Sequence, residues 1–442
     1  MDGKTIITAP GTQVGAATFI AGGIGNIQGL QATGVSAGFR RNPNRRDFAM
    51  IVSERPLVAS GLFTQNRFAA GPVQVSQEHL GRAKVSDPLN LQAGEGICAV
   101  IINSGQANAA TGSAGQSIAI QSAQMTAEAL GCQPHQVLVA STGVIGKPLQ
   151  IESFEIGIAK ASQSLGKADG SDLASGLAAA EAIMTTDTYA KEAAVRISLP
   201  SEGGGSAEVK IAGMVKGSGM IEPHMATLLG VFATDAKLSQ AAADAAFRQA
   251  IDMSLNRLTV DSDTSTNDTV FFLASAAAGD LIREPEGPLY EAFCAGLTTL
   301  CIELARQLAA DGEGASKLVT VQITGAQDDA DAELAARAVA NSPLVKTAIA
   351  GHDANWGRVA MALGKSGAAF QQEDVSIRLM GLSVLAAGLP IDFDEDEALR
   401  LFEALPEIVI EADLGTGGTG AAQIWTCDLT HDYISINGDY RS

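Results

Sequence analysis

What most constrains this chain is the way two hydrophobic periods alternate along it. Short apolar runs with β-branched content, DFAMIVSE (47–54), GICAVIINSG (96–105) and QVLVASTGVIG (136–146), have the length of strands. Between them and beyond lie Ala-rich stretches such as Gly115 to Leu130 and Asp172 to Met184, whose i, i+3, i+4 spacing gives each helix a buried stripe. Strands and helices alternate in this way from end to end, which predicts an α/β layered architecture. The most loop-like interior segment is PSEGGGS (200–206), followed by a strand-like AEVKIAGMV. A second irregular stretch, 325–331, separates the strand KLVTVQITG from a helix-prone segment beginning near Ala332. At 442 residues the chain is long enough for two or three domains, or two coupled layered halves.

Charge narrows the partners. The chain carries 29 Lys and Arg against 49 Asp and Glu, a net charge of −20, so unless that charge is very unevenly placed it would repel nucleic acid and anionic membrane surfaces, both of which need cationic surface. No run of about eighteen apolar residues is present to span a bilayer. The amino terminus offers Asp2 and Lys4, and the apolar stretch from Val14 to Ile27 is broken by four glycines, a poor signal peptide; the expectation is a cytosolic protein. Five cysteines (98, 132, 294, 301 and 427) lack C-x-x-C spacing and read as buried thiols, with Cys294 and Cys301 on one face of a core helix. Five histidines form no HxxH or HxxxH pair, so no metal centre is expected.

Three motifs invite chemistry that their surroundings do not support. Gly415-Thr-Gly417-Gly-Thr-Gly420 follows the strand-like PEIVIEAD, where a dinucleotide fingerprint would sit. That fingerprint requires a helix and a further strand, yet AQIWTCDLTHDYISING alternates like a strand to the end. Asp261-Ser-Asp263-Thr-Ser265-Thr-Asn267 begins like a calcium loop but has Thr266 and Phe272 where an EF-hand needs Gly and Glu, so it reads as a polar turn or hydroxyl-rich site edge. His352, Asp353 and Trp356 in AGHDANWGR suggest an acid/base pair, but a loop histidine beside an aspartate is more often structural or solvated.

The informative stretch is MVKGSGMIEPHMATLLGVFATDA (214–236). A lone cation, Lys216, precedes two glycines that allow a close turn; Pro223 restricts Glu222, and Ala226-Thr227 opens an apolar run. Residue chemistry by itself leaves Thr227 as a buried strand threonine.

KGSGMIEPHMATLL (216–229) closely resembles the signature of the ornithine acetyltransferases of arginine biosynthesis, the ArgJ family. FTQNRFAAGPV (63–73), NSGQANA (103–109), STGVIG (141–146), IMTTDT (183–188), DSDTSTNDTV (261–270), DGEGASK (311–317), AGHDANWGR (350–358) and INGDYRS (436–442) match as well, in family order and over nearly the whole chain. The resemblance implies a layered sandwich of mixed sheets with flanking helices, of the kind shared by DmpA-type aminopeptidases and ArgJ, self-processed between Ala226 and Thr227 into chains 1–226 and 227–442. Thr227 would attack the Ala226 carbonyl, pass through an ester, and be freed by hydrolysis. Its new α-amine, with a reference pKa of about 7.7–8, would then serve as general base for its own hydroxyl.

The same resemblance assigns the oxyanion hole to Thr142 and Gly143. It assigns substrate contacts to Thr185, Lys216, Thr227, Glu313, Asn437 and Ser442, with Thr186 an alternative to Thr185. Lys216 suits a carboxylate and Glu313 the ammonium of ornithine, although these two could instead form a structural ion pair. The implied reaction is ping-pong: N2-acetyl-L-ornithine acetylates Thr227, ornithine leaves, and L-glutamate takes the acetyl group. No metal or organic cofactor is implied, acetyl-CoA is a co-substrate of some members, and the working form is a heterotetramer of two of each fragment. Glu222 and His224 stand where relatives often carry neutral or small residues; Glu222 would either slow self-cleavage or sit in a solvated loop. Two other readings are a self-cleaving amidohydrolase or aminopeptidase of the same fold, and a non-catalytic scaffold.

Overall fold

The computed structural model describes residues 7–165, 173–201, 203–222 and 228–439. Ten strands form the larger sheet: β1 (Gln13–Val14), β2 (Ala17–Ile20), β3 (Leu30–Val35), β4 (Phe48–Phe63), β5 (Ile97–Gln106), β6 (Val137–Val144), β7 (Lys191–Pro200), β8 (Ser206–Lys216), β9 (Leu229–Leu238) and β10 (Thr269–Ile282). Their order is β1-β2-β7-β8-β9-β10-β4-β5-β6, with β3 also beside β4. All pairs are antiparallel except β9 with β10 and β5 with β6. The sheet is therefore mixed.

β4 makes the sheet a sandwich. The first half of this 16-residue strand pairs with β3 and β5 and the second half with β10, and its register with β5 shifts between Val52 and Leu57. Pro56, which has no N–H to give a ladder, lies in that shift. The two halves of the sheet face each other across a shared core containing Ile51, Val100, Ile102 and Leu138 from one side and Ala212, Met214, Val231 and Phe271 from the other. Strand side chains alternate in direction, so Met50, Ile101 and Val139 point outward, into a core with helices Gly112–Leu130 and Ile151–Leu165. Ile197, Ile211, Phe232 and Phe272 point the opposite way, into helices Gln240–Asp252 and Pro288–Ala310. Both faces of the central strands are thus buried, which is why ICAVII is apolar throughout instead of alternating.

A second, six-stranded sheet, β11 (Leu318–Ala326), β12 (Ser376–Leu379), β13 (Leu382–Ala386), β14 (Leu389–Pro390), β15 (Glu407–Asp413) and β16 (Gly420–Cys427), has the order β14-β13-β12-β15-β11-β16. Its core, with Val321, Ile410 and Ile424, includes residues of the helices Asp329–Ala340, Pro343–Ala350 and Trp356–Gly364. Buried Lys346 ties this sheet to the loop that precedes β10: its Nζ donates to Val260 O and Thr426 Oγ1, both at 2.8 Å. The molecule is the α/β layered sandwich of mixed sheets with flanking helices expected above. Among the described residues no helix is long and apolar enough to cross a membrane.

The strand and helix expectations hold along most of the chain, with several corrections. The irregular stretch 325–331 is shorter than expected, because the Asp328 side chain accepts from Asp331 N and starts a helix at Asp329. Gly415 to Gly420 is the connection between β15 and β16, which flank β11, so no helix follows for a dinucleotide. The strand-like reading of the carboxy-terminal segment ran too far: β16 ends at Cys427 and His431–Asp439 is a helix. Glu222 is buried, not solvated; Asn341 Nδ2 donates to its two oxygens at 2.8 and 2.9 Å, and Arg337 lies 3.4 Å away. Cys294 and Cys301 are buried in helix Pro288–Ala310 as expected, whereas Cys132 is only half-buried. Strands from both sides of 226/227 share one sheet, with β9 and β10 lying between β8 and β4.

One half-buried carboxyl on β7 carries a pH signature. Burial, helped by the neighbouring Glu181, raises Glu192 to about 7, and its Oε2 bonds to no group among the described residues. A carboxyl raised in the fold favours folding while it is protonated in both states; this support declines as pH climbs from the unfolded value of about 4.3 through about 7. Glu192→Gln is expected to stabilise the protein by ~1 kcal/mol at pH 8 and to do little at pH 4. Urea melts at the two pH values check this, and an equal effect at both would refute the assignment.

Candidate active site

The site forms where β5, β6 and β8 end. The parallel register of β5 and β6 puts Ser104 beside Thr142 and Gly105 beside Gly143. Gly143 has φ +127°, and a Cβ there would lie 2.3 Å from the Gly105 carbonyl carbon, so only glycine fits. Asn267, itself buried, clamps both strand ends by donating from Nδ2 to Ser141 O at 2.8 Å and to Ala107 O. Lys216, the last residue of β8, donates from Nζ to Thr142 Oγ1 at 3.2 Å. Replacing Gly143 by Ala should displace the Thr142–Gly143 turn and lower turnover by roughly 10²–10³-fold if the turn stabilises an oxyanion. Steady-state kinetics on the variant, with unchanged turnover as the contrary result, test this.

The turn after Lys216 is held from below by a buried charge cluster. Lys191 Nζ, fully buried, donates to Asp187 Oδ1 at 2.7 Å and Asp311 Oδ2 at 2.5 Å. Asp187 in turn accepts from Gly217 N at 2.7 Å and Thr185 N at 2.8 Å, fixing two walls of the site to each other. Burial works to raise the Asp187 carboxyl, but Lys191, Lys216 and these hydrogen bonds overcome it and hold it well below the usual carboxylate range. Asp311 accepts from Thr188 N at 3.0 Å, and its backbone carbonyl accepts from Ser218 Oγ at 2.6 Å. Glu313 N follows, donating to Ser218 O at 2.8 Å.

The helix His431–Asp439 closes the other side. Tyr433 OH donates to Asp261 Oδ2 at 3.1 Å and Asn437 Nδ2 to Glu313 Oε2 at 2.7 Å. The same Asp261 accepts from Met220 N and Ile221 N at 2.7 and 2.8 Å. These tertiary bonds decide helix over strand for a segment whose alternation fits either.

Together these elements enclose a cavity of about 210 Å³. Thr142, Gly143, Thr185, Lys216, Glu313 and Asn437, six residues singled out from the sequence, all line it, and so does Thr186. Ala226, Thr227 and Ser442 lie outside the described residues, but Leu228 lines the cavity, with its carbonyl accepting from Thr269 N at 2.9 Å. The Asp261–Asn267 segment is the hydroxyl-rich site edge expected, since Asp261, Asp263, Ser265, Thr266 and Asn267 are on the wall. His352 lies away from this cavity and takes the structural role instead: its ring stacks on Phe402 of helix Glu395–Ala404, with centroids 5.8 Å apart.

Lys216 and Glu313 are not an ion pair. Glu313 is engaged by Asn437, and among the described residues the hydrogen-bond partner of the Lys216 ammonium is Thr142. Burial pushes the Lys216 ammonium down, against the pull of Asp187, Asp268 and Glu313. Among the described residues no cluster of three or more His, Cys, Asp or Glu is placed to hold a metal ion. Sequence reasoning missed Asp187, Lys191, Asp311, Tyr433 and Asp268. Asp187, Asp268 and Asp311 lie within motifs singled out above but carried no assigned role there; Asp187 and Lys191 also stand at i, i+4 in DTYAK, a pair that spans a loop and a strand start.

A sequence model of the ArgJ family matches residues 31–442. The chain belongs to the ArgJ family. The arginine biosynthesis bifunctional protein ArgJ of Symbiobacterium thermophilum is 44% identical over 425 residues, covering 96% of this chain and 100% of that protein. The protein of the same name from a Synechococcus species is 40% identical over 431 residues, covering 96% and 98%. A crystal structure of the arginine biosynthesis bifunctional protein ArgJ from Bacillus halodurans is 40% identical and covers 47% of this chain and 96% of that one, with a TM-score of 0.45. In this ArgJ-family chain the cavity is lined by residues of motifs that lie far apart in sequence, from Ala107 of NSGQANA to Asn437.

Proposed function

We propose that this ArgJ-family enzyme of arginine biosynthesis is a glutamate N-acetyltransferase, moving an acetyl group from N2-acetyl-L-ornithine to L-glutamate by way of an acetyl ester on Thr227. The observation that carries the reading is the convergence of six residues from five separate sequence motifs on one cavity. In this reading the chain cuts itself between Ala226 and Thr227, and the freed amine of Thr227 acts as base for its own hydroxyl. Thr142 and the backbone of Gly143 stabilise the tetrahedral oxyanion, with the Lys216 ammonium beside Thr142 adding positive charge. Lys216, in no ion pair with a carboxylate among the described residues, suits a substrate carboxylate; Glu313, oriented by Asn437, suits the ammonium of ornithine. Thr185 or Thr186 and Ser442 complete the substrate contacts. The cytoplasmic heterotetramer of two 1–226 and two 227–442 fragments, and acceptance of acetyl-CoA, belong to the same proposal.

The test joins two measurements on the purified protein. Intact-mass spectrometry should find two fragments with a clean break before Thr227. Label should exchange between N2-acetyl-L-ornithine and ornithine without glutamate, as a covalent acetyl-enzyme requires. Release of free acetate as the main product would replace transfer by the amidohydrolase reading, and an intact, inactive chain would leave the scaffold reading.

A further inference from the structure

The proton arithmetic of ping-pong transfer leaves one proton per half-reaction to be placed. When N2-acetyl-L-ornithine acetylates the Thr227 hydroxyl, the C–N bond breaks and the amide nitrogen needs two protons to leave as an ammonium. The hydroxyl supplies one. When glutamate arrives as an ammonium and becomes an amide, it sheds two protons, of which the departing Thr227 oxygen takes one. A group that gives a proton in the first half and takes it back in the second closes the cycle within the cavity.

We propose that Asp268 is this proton store: a carboxylic acid in the free enzyme, a carboxylate while Thr227 carries the acetyl group. The inference rests on the acetyl-transfer reading above. Asp268 lines the cavity, is only 3% exposed, and its Oδ2 hydrogen-bonds to no group among the described residues. An unsatisfied buried carboxyl oxygen is costly unless something arrives to meet it, and a substrate amine is such a partner. Its place is set by the backbone, since Asp268 O accepts from Thr64 N at 2.9 Å and the next residue's N–H holds Leu228. The other cavity carboxylates are less suited: Asp261 already accepts from Met220, Ile221 and Tyr433, Glu313 is bonded to Asn437, and Asp263 is exposed to solvent.

Electrostatics agrees with the geometry. Burial raises the Asp268 carboxyl well above its ordinary value, opposed by the Lys216 ammonium on the end of β8 and by hydrogen bonding from Ser265. From its own loop Asp261 and Asp263, and from across the cavity Glu313, are the remaining titratable carboxyls; the β4 and β6 ends contribute only the hydroxyls Thr64 and Thr142 near this wall. A neutral acid at rest lets acetyl-ornithine bind without repulsion. Ionised in the acetyl-enzyme, it faces a departing and then an arriving ammonium.

Balanced, the first half-reaction is acetyl-ornithine plus Thr227 hydroxyl plus Asp268 acid going to acetyl-Thr227, ornithine ammonium and Asp268 carboxylate. The second half is the reverse with glutamate. The experiment compares wild type with Asp268→Asn, which keeps the shape but cannot release a proton. In processed Asp268→Asn, kcat should fall by ~10²-fold or more with little change in KM. The wild-type decline in kcat/KM for acetyl-ornithine as pH rises through the Asp268 ionisation should vanish, and Asp268→Glu should restore part of both. Infrared difference spectra of wild type on mixing with acetyl-ornithine should show loss of a neutral-carboxyl C=O band, a readout that does not depend on whether the variant cuts itself. A processed Asp268→Asn with wild-type turnover and pH profile, or acetylation of wild type without loss of that band, overturns the proposal. Failure of wild type to become acetylated at all would instead remove the transferase reading on which it stands.

Discussion

Thr227→Ala should migrate as a single uncut chain of 45.2 kDa and transfer no acetyl group. Alanine has no Oγ to attack the Ala226 carbonyl, so no ester forms and no α-amine is released. Even if the chain were cut by other means, there would be no oxygen to carry the acetyl group, and loss of at least about 10³-fold in turnover is expected for a missing nucleophile. Thr227→Ser separates the two consequences. It keeps the hydroxyl but loses the methyl that restricts χ1, so it should still be cut and still transfer, more slowly. Denaturing gels, intact mass and acetyl-exchange rates are the measurements. A Thr227→Ala protein that is cleaved and active would end the nucleophile assignment and with it the mechanism.

Lys191→Met is expected to have the largest effect on stability. Asp187 and Asp311 both depend on this one ammonium, at 2.7 and 2.5 Å in a fully buried setting. Removing it leaves two carboxylates in the interior without their cation, a change that typically costs about 3–5 kcal/mol. Asp187 also holds Gly217 N and Thr185 N, so the variant should lose the alignment of the cavity walls as well as global stability. The sign with pH is definite. A carboxyl depressed in the fold stabilises at pH above its unfolded value of about 3.9, and this support fades as pH falls through the lower folded value. Lys191→Met should therefore differ most from wild type near neutrality and least in acid. Urea denaturation across pH checks this; a loss below ~1 kcal/mol at pH 7 would show that the cluster relaxes or admits water.

Much of the site was legible in sequence because the chemistry sits in short local words. The strand-to-turn word STGVIG, the KGSGM stretch (216–220) and the DSDTSTNDTV loop each carry their own residues to a strand end or a turn, and the cavity collects them. Glu222 and the terminal helix were misread for a shared reason. A carboxylate in a loop has no local signal that Asn341, more than a hundred residues away, will satisfy it. The alternation in DYISING fits a strand as well as a helix until Tyr433 and Asn437 find Asp261 and Glu313.

By itself, the sequence determined the alternation of strand and helix and the family, and it pointed to the residues given roles in the proposed chemistry, since these depend on side-chain type, period and short-range order. The tertiary structure alone decided that one long strand bends a single sheet into two facing layers. It also decided that Lys191 balances the nearby Asp187 together with Asp311, far along the chain, and that Asp268 keeps an oxygen in the cavity with no hydrogen-bond partner among the described residues. Burial and electrostatic pairing depend on which groups meet in space, and long-range pairing between strands far apart in the chain sets that.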